Sequence, residues 1–467
     1  MQLHGVRLAS ALLAFAAAFV CSVVLGCEPS GEGEHAGPDS CWPQLLGLQY
    51  TFILQHQSSF NAPYSGRLSL DTHGDTQPTH TIGLYSGWAP TSWAQVYFDL
   101  EKFMGAGVSG ATGLGGLTNG DVIRSGSAGL SKVFYIARQY IRLMLPVGDA
   151  TEHMDTAQDQ LPGREATSRV EFKFGALAVN DDFDHNRYAG AARTQFLNWS
   201  LWANTAWDYA ADTRGYTYGA VLGWISPRWT LKYGGYLMPV RANGQKLEDA
   251  PLRARGDNVE LSLLAPETGT TVRLLGYRNI ARMGIYEEAL RLAAAGGPPA
   301  IVADDRDGRI KYGAGLNIEQ ALADEGETGV FARLGWNDGH TESFAFTEVD
   351  RLLSFGGQLS GAHWMRAEDR VGAAVAIEGL SAPHREYLAA GGTGFLLGDG
   401  RLAYAHEQIL EIYYRLGVAW ALPDARMFVG HTARLQLSPD FQLIRNPGFN
   451  HDRGAVRFWG VRVHAEL

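Results

Sequence analysis

From Trp459 onward the sequence alternates. Trp459, Val461, Val463, Ala465 and Leu467 hold the odd positions, and Gly460, Arg462, His464 and Glu466 hold the even ones. Successive side chains of a β-strand point to opposite faces, so this segment builds one apolar wall and one polar wall. The period recurs along the chain. Leu48, Tyr50, Phe52 and Leu54 alternate with Gln49, Thr51 and Gln55, which gives a first strand suited to pair with the last. Ile310, Tyr312, Ala314, Leu316 and Ile318 alternate with Lys311, Asn317 and Glu319. After the acidic turn Asp324-Glu325-Gly326-Glu327, Val330, Ala332, Leu334 and Trp336 stand opposite Arg333 and Asn337. Three more strands read the same way, from Val371 to Ile377, from Ile412 to Leu422 and from Leu435 to Leu443.

In a transmembrane β-barrel the apolar face meets lipid and the polar face meets the lumen, in spans of about ten residues. A soluble sandwich also alternates, but it predicts small apolar residues outside and no aromatic ends. Trp336, Trp420 and Trp459 sit near strand ends, as the aromatic girdles of a barrel require. The pattern predicts an all-β fold: a transmembrane antiparallel β-barrel with short periplasmic turns and long extracellular loops. At roughly 26 residues per strand and connection, the chain from residue 46 fits about 16 strands, the size that leaves an aqueous channel. Residues 105–130 and 289–308 break the period and read as extracellular or inward-folded loops, the second with a short helix from Glu287 to Ala295.

The first 45 residues read differently. Arg7 precedes an apolar run from Ala11 to Leu25, too short for the roughly 20 residues of a spanning helix. A signal peptide over 1–26 is the expectation. Val24-Leu25-Gly26-Cys27 resembles a lipoprotein box in which Cys27 would be acylated; the alternative is a periplasmic disulfide between Cys27 and Cys41. Residues 27–45 form a flexible periplasmic segment rich in Gly, Pro and Glu, and 46–467 the barrel.

Composition narrows the function. The 57 glycines suit many strands and tight turns. A formal net charge of −10 argues against nucleic acid as a partner. No cysteine follows Cys41, and the 14 histidines are scattered, so neither a zinc framework nor a catalytic thiol is expected, and no cofactor. Gly105-Ala-Gly-Val-Ser-Gly110 matches a dinucleotide-binding pattern but lacks its βαβ context. Asp182-x-Asp184-x-Asn186 resembles the start of a calcium loop, but Arg187 replaces the required Gly and Arg193 the bidentate Glu.

Polar and aromatic residues concentrate between 181 and 214. Asp182, Asp184, Asn186, Arg187, Arg193, Asn198, Asp208, Asp212 and Arg214 lie among Trp199, Trp202, Trp207 and Tyr209. Rings stack on the C–H faces of a sugar, while charged and amide groups replace the water on its hydroxyls. Arg suits the task, with five donors in a rigid fork. Such a segment is either a constriction or a loop held in shape by its own ion pairs. Arg138 and Arg142, four apart in a strand, share one face, read as the lumen. The candidate pore-lining or substrate-binding set is Arg138, Arg142, Asp182, Asn186, Arg187, Arg193, Asn198, Trp199, Asp208, Asp212 and Arg214.

Several longer motifs carry a family likeness. They are Asp182-Phe-Asp-His-Asn-Arg-Tyr188, Arg193-Thr-Gln-Phe-Leu-Asn-Trp199, Ala206-Trp-Asp-Tyr-Ala-Ala-Asp-Thr-Arg-Gly-Tyr-Thr217, Gly335-Trp-Asn-Asp-Gly339 and Asn446-Pro-Gly-Phe-Asn450. With these, the chain from about 130 to 467 resembles the carbohydrate-selective porins of the OprB type. The resemblance implies a barrel of about 16 strands in the bacterial outer membrane that passes monosaccharides and similar small polar solutes by passive or facilitated diffusion. Its partners would be those solutes and outer-membrane lipid, as a monomer or a homotrimer. The Trp-Gly-Arg opening common in the family is missing here. The alternative is a general or anion-selective diffusion porin in which the arginines serve small acids. An outer-membrane barrel enzyme ranks below both, since no Gly-x-Ser-x-Gly elbow is present.

Overall fold

A computed structural model describes residues 44–121, 130, 133–293, 297–421 and 432–467. The expected signal peptide, the three cysteines, most of the 27–45 segment and Leu422 lie outside them. The strands run β1 (Leu45–Gln57), β2 (Asp75–Thr91), β3 (Ala94–Gly105), β4 (Tyr135–Pro146), β5 (Thr151–Met154), β6 (Gly163–Ala166), β7 (Arg169–Leu177), β8 (Thr217–Ile225), β9 (Trp229–Leu237), β10 (Arg255–Ala265), β11 (Thr270–Met283), β12 (Arg306–Ala323), β13 (Thr328–Asn337), β14 (Arg351–Ser360), β15 (Arg370–Gly379), β16 (Glu407–Ala421), β17 (Thr432–Arg445) and β18 (Val456–Glu466). All but β5 and β6 close one antiparallel barrel, sixteen strands around. The first strand does pair with the last, with Tyr50 opposite Ala465 and Leu54 opposite Val461.

The alternation gives the wall its two faces. On β18, Trp459 and Val461 are 53% and 42% exposed, whereas Arg462 and His464 are 1% and 3% exposed. The exposed face is apolar and the closed sheet has no free strand edge, so this face is the one that meets lipid. An arginine placed on that face near mid-strand costs about 2–4 kcal/mol. The variant Val461→Arg is therefore expected to lower folding stability in lipid vesicles by that amount, read from urea titrations.

Leu45 and Leu467 lie at one rim, which carries short turns such as 92–93, 226–228 and 266–269. Short turns mark the periplasmic rim of such barrels, and the long loops of the other rim are extracellular. Among the described residues, one connection on this rim is far longer than the rest. Residues 147–168, between β4 and β7, carry β5 and β6, a two-stranded sheet of their own at the periplasmic rim. On the extracellular side, helix α1 (Trp199–Trp202) lies in the 178–216 loop, α2 (Tyr286–Ala293) where a helix was expected, and α3 (Ala382–Ala389) in the 380–406 loop.

The core is in the lumen. The 178–216 loop turns inward and fills much of it, burying Phe183, Phe196, Leu197, Leu201 and Trp207. Wall glycines make room for it. A Cβ at Gly335 would lie 2.1 Å from Asn204 Oδ1, so only glycine lets the loop approach β13 there.

Candidate functional site

The inward loop is anchored strand by strand. At its root, Asp182 pairs with Lys173 of β7 at 2.8 Å and Lys232 of β9 at 3.3 Å. Burial opposes the charge of Asp182, but the two lysines hold its carboxyl below the usual carboxylate value. Asp184 meets Arg333 of β13 at 3.2 Å and Asn317 of β12 at 2.8 Å. Asn186 donates to Asn317 Oδ1 at 2.7 Å and accepts from the N–H groups of Tyr188 and Ala189. Arg187 reaches down to Glu327 at the periplasmic turn, so the loop spans most of the lumen's depth. Asn198 caps α1 through Ser200 N–H and donates to Gln442 of β17 at 3.0 Å. Glu411 of β16 accepts the backbone N–H groups of Leu197 and Asn198, and Glu378 of β15 takes the Thr205 hydroxyl. Asp208 pairs with Lys311 of β12 at 3.3 Å and accepts the N–H groups of Phe344 and Ala345. Arg462 of β18 donates to the Ala192 and Gln195 carbonyls, each at 2.7 Å.

These anchors lie on the side from β7 around to β18. They leave a passage against β1, β3, β4 and the periplasmic half of β18. A cavity of about 370 Å³ occupies it.

One wall of the cavity is charged. Arg193 donates to Asp121 at 2.8 Å and to Glu101 of β3 at 3.0 Å. Burial alone would lower the Arg193 pKa, but Asp121 and Glu101 outweigh it, and the guanidinium stays charged. The Tyr216 hydroxyl also donates to Glu101. Arg138 of β4 makes a two-pronged contact with Asp181 at 2.6 and 2.9 Å, and its guanidinium lies 5.4 Å from the Tyr216 ring centre. Arg214 lies 5.0 Å over the ring of Tyr135. A second group of lining residues is aromatic. Trp199 stacks on Phe346 with centroids 4.9 Å apart and planes 10° apart, and Tyr209 stacks on the same ring at 5.5 Å. Trp202 adjoins Trp199 at 4.6 Å.

Of the eleven candidates, Arg138, Arg193, Trp199 and Arg214 border the cavity. Asp182, Asn186, Arg187, Asn198 and Asp208 hold the loop. Asp212 accepts the N–H groups of Arg214 and Tyr216, fixing the turn that presents both. Arg142 is bound to Glu165 and Glu171 at 2.6 Å each. The lysines and arginine on Asp182 and Asp184 occupy the carboxylates that a calcium loop would have needed. Glu101, Asp121, Tyr216 and Phe346 were missed. Glu101 was legible, because Gln95, Tyr97, Asp99 and Glu101 of β3 alternate toward the lumen. Phe346 carried no signal; it adopts φ +58°, rare for a bulky residue and a mark of a position fixed by its surroundings.

A sixteen-stranded barrel narrowed by an inward loop, with charged and aromatic side chains lining the remaining passage, is the architecture of a solute-selective pore. The carbohydrate-selective porin family, OprB, matches residues 94–467. The chain belongs to that family. It is an outer-membrane porin for the diffusion of sugars, placed in the bacterial outer membrane. Among solved structures, the high-pH structure of Pseudomonas putida OprB is 14% identical with a TM-score of 0.64, covering 90% of this chain and 94% of that one. The outer-membrane channel DcaP of Acinetobacter baumannii is 10% identical with a TM-score of 0.45, covering 91% and 96%. No curated protein matches the chain by sequence.

Membership gives the quoted motifs a physical reading. In Gly335-Trp336-Asn337, glycine admits the inward loop and tryptophan faces lipid. Asn337 donates to the Ala206 and Val349 carbonyls at 3.1 and 2.9 Å. Much of this porin's motif content thus builds the narrowing rather than the path.

Proposed function

We propose that this porin passes neutral monosaccharides and similar small polar solutes passively, through the cavity between Arg193 and the Trp199–Phe346 stack. The carrying observation is the charge balance of the lining. Arg138, Arg193 and Arg214 are matched by Glu101, Asp121 and Glu466. Each of these arginines also has a carboxylate beside it, Arg138 with Asp181, Arg193 with Glu101 and Asp121, and Arg214 with Asp212, so the lining presents no excess of positive charge to draw small acids, which favours the sugar reading over the anion-selective one. The arginine forks supply donors for hydroxyls, and the stacked rings of Trp199, Tyr209 and Phe346 supply the apolar part of the lining. The carboxylates also argue for a channel without catalysis. Glu101 is tied to Arg193 and Tyr216, and Asp121 to Arg193 and Thr81, which leaves neither poised as a nucleophile or base.

Glucose block of ion current in planar bilayers tests this. Trp199→Ala and Phe346→Ala should each raise the half-blocking concentration about threefold to tenfold, the equivalent of roughly 0.7–1.4 kcal/mol. Unchanged block in both variants would remove the aromatic wall from the path.

A further inference from the structure

The long periplasmic connection 147–168 does not hang free. Beyond β5 its tip, 155–162, turns up into the lumen. Leu161 is buried there and donates its N–H to the Tyr97 hydroxyl at 3.3 Å. Gln158 donates to Asp99 at 3.1 Å and accepts from Gln49 of β1 at 3.0 Å, bridging two wall strands. Asp159 lies 3.4 Å from Arg138, an arginine of the cavity above. A buried latch holds the base of the hairpin. Arg142 grips Glu165 of β6 with two bonds, at 2.6 and 2.9 Å, and Arg169 adds a third contact at 3.3 Å.

The tip divides two spaces. Gln158 borders the 370 Å³ cavity below Arg193. Met154, Asp155, Thr156 and Ala157 border a second cavity of about 340 Å³, which continues past Tyr85 to Leu467 at the periplasmic mouth. Glu466 lines both. A solute leaving the first cavity for the periplasm passes between the tip and the Glu466 side of the wall.

We infer that the inward-folded hairpin tip is a second selectivity element at the periplasmic exit of the pore, with Gln158 contacting the sugar as it leaves. An amide has two donors and two acceptor lone pairs; Asp99 and Gln49 take one of each, which leaves one of each for hydroxyls. Arg142, which does not border the upper cavity, has its role here as the residue that positions the hairpin. The inference rests on the proposed path through the Arg193 cavity.

The test uses single-channel conductance of the full-length porin in planar bilayers, with heat-modifiable electrophoretic mobility as the folding check. Gln158→Trp should lower conductance about twofold or more, and Gln158→Gly should raise it and shift the half-blocking glucose concentration about threefold. Arg142→Gln should loosen the latch and produce flickering current at higher mean conductance. Arg193→Ala runs beside them. If it changes conductance while both Gln158 variants match the wild type, the path is right and the exit element is refuted. If neither position matters, both assignments fail. If only the Gln158 variants act, the tip stands and the Arg193 cavity is not the path.

Discussion

Removing the Arg193 guanidinium is expected to give a wider, cation-selective channel that binds sugar about tenfold to a hundredfold more weakly. A hydrogen bond to a charged group contributes roughly 1.5–3 kcal/mol, which sets that range. Selectivity changes because Arg193→Ala leaves Glu101 and Asp121 without their cation. The lining then carries more carboxylates than arginines, and the reversal potential in a KCl gradient should move toward the potassium potential. Arg193→Lys separates the two effects. It keeps the charge and should keep the ion selectivity, but it loses the planar fork and with it part of the sugar affinity. A reversal potential unmoved in Arg193→Ala would show that ions do not pass this residue.

The second large effect concerns the loop rather than the path. Arg333 is fully buried and donates to the Ala189 and Leu201 carbonyls at 2.7 and 2.8 Å, and to Asp184 at 3.2 Å. It joins three points of the inward loop to β13. Removing one partner of such a buried pair costs about 3–5 kcal/mol, because the other charge stays buried and unpaired. Arg333→Ala should therefore lower the unfolding midpoint and give noisy, enlarged conductance as the loop leaves the wall. Adding Asp184→Ala should cost less than the sum of the two single changes, since the two side chains share one interaction. Strict additivity would mean that the pair does not tie the loop.

The barrel was legible because lipid and lumen impose opposite demands on neighbouring residues. That demand is written with a period of two, from Leu48 to Leu54 and again from Trp459 to Leu467. The division of labour among the polar residues was not legible in the same way. Arg193 and Asp208 stand in one polar, aromatic segment of the sequence, yet one borders the cavity and the other anchors the loop to Lys311. Only the path of the loop across the lumen separates them, and that path is set by partners far along the chain, such as Glu411, Gln442 and Arg462. Phe346 joins the aromatic wall from a different loop altogether. The hairpin at 147–168 was hidden for a related reason. Nothing in its polar residues marks it in the sequence; its place is set by partners on other strands, Arg142 for Glu165 and Asp99 for Gln158.

The claim that this porin is a passage for neutral monosaccharides is tested most directly by liposome swelling with the purified wild-type protein across a panel of sugars. Glucose and other monosaccharides should swell the vesicles rapidly and disaccharides slowly. No swelling with any monosaccharide would contradict the account and leave only the fold.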